Sequence, residues 1–72
     1  MLDKIIIAQV IDQSDFNAVL ARRAFKHHIT AVGWAKTEQL AAQSRLRASG
    51  ETDKDYIDAI VIHTYTMDYD VA

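Results

Sequence analysis

Asp58-Ala59-Ile60-Val61-Ile62-His63-Thr64-Tyr65-Thr66-Met67-Asp68-Tyr69-Asp70-Val71 is the stretch that decides the fold. From Ile60 onward its residues are mostly β-branched or aromatic and alternate in character, the period-two signature of a strand. Ala59, Val61, His63, Tyr65, Met67, Tyr69 and Val71 share one face, apolar except for His63. Asp58, Ile60, Ile62, Thr64, Thr66, Asp68 and Asp70 share the other, polar from Thr64 onward. The expectation is a strand covered on both sides in its first half and on one side in its second.

Length sharpens that expectation. A strand rises ~3.3 Å per residue, so roughly fourteen residues reach about 45 Å. A compact chain of this size has a radius of gyration of about 11 Å and a diameter of roughly 30 Å. The strand therefore overshoots its own domain, and must bend, fray or pair with another polypeptide, because an unpaired apolar overhang invites aggregation.

The chain has 72 residues, half of them hydrophobic, with no proline, two glycines and no cysteine. This composition fits one small globular domain, residues 1–72, without linkers or disordered segments. A core of that size seldom contributes more than ~3 to 5 kcal/mol unaided. With no disulfide and no thiolate metal site to help, self-association is the expected stabiliser. The absence of cysteine agrees with a reducing compartment. No apolar run reaches the ~20 residues that cross a bilayer, and the N-terminus lacks the pattern of a signal peptide. The expectation is a cytoplasmic protein away from the membrane.

Net charge is −2, but the charges are segregated. Ala21 to Arg47 holds the bases Arg22, Arg23, Lys26, Lys36, Arg45 and Arg47 against Glu38 alone. Ala48 to the end holds Glu51, Asp53, Asp55, Asp58, Asp68 and Asp70 against Lys54 alone.

In chain order, Lys4 to Ile11 is short, β-branched and apolar on both faces, and reads as a central strand. Ser14 is placed to cap a helix from Asp15 to about His28, with Asp15 in its first turn and Lys26, His27 and His28 in its last. On that helix Phe16, Ala18, Leu20, Ala21, Ala24, Phe25 and Ile29 form an apolar arc, and Arg22, Arg23 and Lys26 form a basic ridge. Ile29 to Lys36 suits a second strand, since Gly33 costs a helix interior ~1 kcal/mol relative to alanine. Thr37 then caps a helix from Glu38 to about Ser49, with Arg45 and Arg47 in its last turn and Gly50 as the left-handed residue beyond it. Glu51 to Asp55 is an acidic turn leading into the last strand, although Thr52 with Asp55 could also cap one short helical turn. The order β-α-β-α-β gives an α+β fold, a single sheet of about three strands with two helices on one face.

Few residues are arranged for chemistry. His27 and His28 would point about 100° apart on a helix, and no spacing among the histidines matches a metal site. His63 reads as a partly buried histidine bonded to a tyrosine or a carboxylate. Asp68 and Asp70 share a strand face but sit in no cation-binding loop, and suit an edge that resists mispairing. No serine lies in a nucleophile motif and no glycine-rich phosphate loop occurs. The reading includes no catalytic residue, metal or cofactor.

Two binding surfaces remain. Tyr65, Met67 and Tyr69, with Asp68 and Asp70, form a patch of the residue types enriched where proteins meet. The basic ridge of Arg22, Arg23 and Lys26, with Arg45 and Arg47 nearby, could neutralise phosphates or meet an acidic partner. Nucleic-acid modules usually carry net positive charge, which this chain lacks. The leading expectation is a non-enzymatic protein-binding module acting as a homodimer or on a larger partner through its last strand. Small domains with no active site and segregated charge are often adaptors, regulators or inhibitors of larger assemblies, including those carried by phages and other mobile elements. The alternative is a small nucleic-acid-binding regulator using the ridge.

Overall fold

A computed structural model describes the backbone of residues 2–70 and the side chains of residues 3–69. Val71 and the side chain of Asp70, both part of the expected last strand, lie outside the described residues. In chain order the elements are β1 (Leu2–Asp12), a 3-10 turn (Gln13–Asp15), β2 (Ala18–Phe25), α1 (His28–Ala48), α2 (Lys54–Asp58) and β3 (Ile60–Asp70). The strands form one antiparallel sheet in the order β2-β1-β3. This is the expected small α+β architecture, with the expected first and last strands.

The two middle segments exchange identities. The segment 15–28, expected as a helix, is a turn and the strand β2, and the segment 29–36, expected as a strand, is the first half of α1. A bulge explains the first exchange. Val10 pairs with Ala21 and Ile11 with Val19, which leaves Leu20 as an extra residue in β2. The half-buried residues of the strand are then Ala18, Ala21 and Phe25. Spacings of three and four are those of a helix face, and a bulge produces them in a strand by resetting its alternation.

The second exchange follows from the alanines. Ala31, Ala35 and Ala42 are buried on one stripe of α1, and this stripe runs through the segment that looked extended. Gly33 is exposed, where its conformational cost is its only effect. Thr37 is therefore no cap; its hydroxyl donates to the Gly33 carbonyl one turn back, at 3.1 Å. Ser14 is no helix cap either, since its amide and hydroxyl both donate to Asp12, at 3.0 and 2.6 Å. Gly50 ends α1 with φ of 102°, as expected of the residue beyond a helix C-terminus. The short turn of helix is capped by Asp53, which accepts from the Asp55 amide at 2.9 Å.

Alanines make up the helix side of the core and isoleucines much of the rest, with Ile7, Ile57 and Ile60 buried. Ala8, Ala31 and Ala35 pack with Ile6, Phe25, Trp34 and Ile62 around them, and Val10, Ala42 and Ile60 pack with Ala21 and Leu46. Val10 is the largest side chain removed completely from solvent. Alanine against alanine lets α1 lie close on the sheet, but it withdraws little apolar area per residue, so the hydrophobic stabilisation is modest.

The molecule measures 49 × 22 × 14 Å, with a radius of gyration of 14.3 Å. A compact chain of the same length would have about 11 Å. The elongation has a simple origin. β1 and β3 pair over their whole lengths, from Asp12 opposite Ile60 to Leu2 opposite Asp70, whereas β2 pairs with β1 only from Ile6 to Asp12. Residues 2–5 and 67–70 thus form a two-stranded ribbon that runs past the third strand. Among the described residues no helix is long and apolar enough to cross a membrane.

Candidate docking surface

Packing of α1 on Ile6, Ala8, Val10, Ile60 and Ile62 fixes which face of the sheet is covered. Strand alternation then places Val61, His63, Tyr65, Met67 and Tyr69 on the opposite face. The register sets them beside Ile11, Gln9, Ile7, Ile5 and Asp3 of β1 in that order. So the more apolar face of the last strand is the one turned away from the helices. Met67 is 45 % exposed and Tyr69 37 %.

The face organises itself through side chains that bridge strands. Arg22 of β2 donates a 2.7 Å hydrogen bond to the Tyr65 hydroxyl of β3. The bridge passes over β1, and Ile7 beneath it is only 7 % exposed although no helix covers it. Gln9 Nε2 lies 2.9 Å from His63 Nδ1, and the His63 and Tyr65 rings are 5.6 Å apart. His63 is exposed, and its partner is a carboxamide rather than the expected tyrosine or carboxylate. Towards the ribbon's end, the Tyr69 hydroxyl donates to Asp3 at 3.3 Å. Its phenol is raised above the ordinary value of 10.0 by partial loss of solvent and then by the Asp3 carboxylate. On the other face Asp68 stands opposite Lys4.

The expected basic ridge does not form. On a strand Arg22 and Arg23 point to opposite faces, and Arg22 is committed to Tyr65, whereas Arg23 lies 5.3 Å above the Phe25 ring. Lys26 follows β2, and Arg45 and Arg47 sit in the last turn of α1. The bases expected as one strip are thus divided between two faces of the sheet and the far end of a helix. No group of three or more histidine, aspartate or glutamate side chains that could hold a metal ion occurs among the described residues.

A groove of about 300 Å³ that sequence reasoning missed opens between the bulge and the end of α1, lined by Asp12, Leu20, Ala42, Arg45, Leu46, Ser49 and Ile60. Leu20, the extra residue of the bulge, lines it, and the bulge has no signature in the residue types alone. Ser49 is not free for chemistry there, since its hydroxyl donates to the Leu46 carbonyl at 2.6 Å.

No family model matches the chain, and no curated protein or solved structure matches it significantly.

Proposed function

We propose that the protein is a non-enzymatic protein-binding module that docks through the helix-free face and outer edge of β3, centred on Tyr65, Met67 and Tyr69. One observation carries this reading. The β1–β3 ribbon projects past β2 with methionine and tyrosine on its uncovered side, and among the described residues β3 has no sheet neighbour beyond β1. An apolar face joined to an open edge offers a partner both side-chain contact and backbone hydrogen bonds, the two ingredients of strand addition. Arg22 and Gln9 hold Tyr65 and His63 in place beforehand, which lowers the ordering cost of association. Such a module suits an adaptor, regulator or inhibitor of a larger assembly. A chain without cysteine needs no oxidising compartment to fold, and a cytoplasmic setting belongs to the proposal.

The test compares two sets of substitutions. Met67→Glu with Tyr69→Glu should abolish association while circular dichroism shows the fold retained. Arg23→Glu with Lys26→Glu should leave association intact. The opposite pattern would move the binding surface to the bases and overturn the proposal.

A further inference from the structure

We infer that β3 pairs with β3 of a second copy of this chain, antiparallel about a two-fold axis at Tyr65, to make one continuous six-stranded sheet. The inference rests on reading β3 as the docking element and names its occupant.

The edge itself is the first argument. β3 runs from Ile60 to Asp70 and pairs with β1 without a register shift, so beyond Ile60, whose carbonyl accepts from Gln39 of α1 at 3.0 Å, its other side presents a continuous row of outward amides and carbonyls. Natural edges are blunted by proline, bulges or charge. This strand has no proline, and its charge is confined to one end, at Asp68 with Asp70 after it in the sequence.

That placement selects the alignment. Two copies laid parallel would bring their acidic ends together, and like charges directly opposite are destabilising. Two copies laid antiparallel about Tyr65 put Asp68 across from Ile62 and send the acidic ends to opposite extremes. The same operation sets Tyr65 across from Tyr65, Met67 from His63 and Tyr69 from Val61, all on the helix-free face. It is an isologous contact, which closes after two chains. Each ribbon, which has no third strand among the described residues, then lies along the other copy's Ile60 to His63.

Surface area fits this occupant. The chain exposes 5173 Å². A compact monomer of its mass exposes about 4,500 Å². The surplus of roughly 700 Å² is close to the ~800 Å² that each partner contributes to a standard interface.

The chain has no cysteine, so single cysteines report the register directly. Sedimentation should show a dimer, Tyr65→Cys should form a disulfide-linked dimer under mild oxidation, and Val61→Cys or Tyr69→Cys alone should not. A mixture of the His63→Cys and Met67→Cys chains should cross-link between the two kinds, which tests the same register with Tyr65 intact. A dimer that cross-links best through Phe16→Cys or through β2 overturns the inference. So does a monomer. If that monomer binds another protein in a way that Met67→Glu abolishes, only the choice of occupant fails; if Met67→Glu changes no association, the docking reading fails with it.

Discussion

Arg22 and Tyr65 sit on the two outer strands and join across the central one, the guanidinium donating to the phenol at 2.7 Å. The bridge is exposed, so its energy is that of a surface contact. A double-mutant cycle of Arg22→Ala and Tyr65→Phe by urea unfolding should give a coupling of about 0.5 to 1 kcal/mol. Additive single effects would show that the two side chains do not act together.

The glycines of α1 should respond in opposite directions. An added Cβ at Gly33 meets nothing within 4 Å, so Gly33→Ala should stabilise by about 0.5 to 1 kcal/mol. Gly50 has the same open space but φ of 102°, and Gly50→Ala should destabilise by about 1 kcal/mol. Thermal unfolding of the two variants checks both signs.

Phe16 and Asn17 form the tip of the β1–β2 hairpin with φ of 53° and 58°, and Phe16 is 99 % exposed. They carry the chain from the 3-10 turn into β2 through the left-handed region, which asparagine tolerates and glycine takes freely but phenylalanine suits poorly. Replacing the pair by Phe16→Asn with Asn17→Gly should raise stability by about 1 kcal/mol. A loss would mean that the Phe16 ring has a contact that the isolated chain does not show.

The Tyr69 phenol is raised in the folded chain, by loss of solvent first and by Asp3 second. The sign follows directly: the folded state favours the protonated phenol, so its contribution is complete below 10.0 and is lost as pH rises through the higher folded-state value. Phenolate absorbance of a protein retaining Tyr69 as its only tyrosine should titrate above the ordinary value. Asp3→Asn should return it only partway, because the carboxylate is the lesser cause. A titration at the ordinary value would contradict the Asp3–Tyr69 contact.

Much of this was legible in the residues. Lys4 to Ile11 announces a strand as a short β-branched run that is apolar on both faces, and Ile60 to Tyr69 announces one by its β-branched and aromatic residues, which alternate with polar ones from Thr64 onward. Gly50 announces the end of α1 because few other residues take its backbone angles. The middle was misleading for a physical reason. The bulge at Leu20 spaces Ala18, Ala21 and Phe25 like a helix, and the buried stripe of residues 29–36 rests on the small side chains Ala31 and Ala35 with Trp34 beside them, in a segment where Thr30, Val32 and Trp34 also alternate like a strand. The faces of Tyr65, Met67 and Tyr69 could be paired from sequence, but whether helix or solvent covers them depends on which side α1 lies. The basic ridge fell with the helix that would have displayed it.

Hydrogen exchange of the β3 amides, followed from low to high micromolar protein, tests the central claim most directly. If the outer edge of β3 is completed by another copy, its amides become more protected as concentration rises, while the outer amides of β2 exchange at an unchanged rate. Exchange on β3 that is independent of concentration, or protection that grows on β2 instead, would contradict the account.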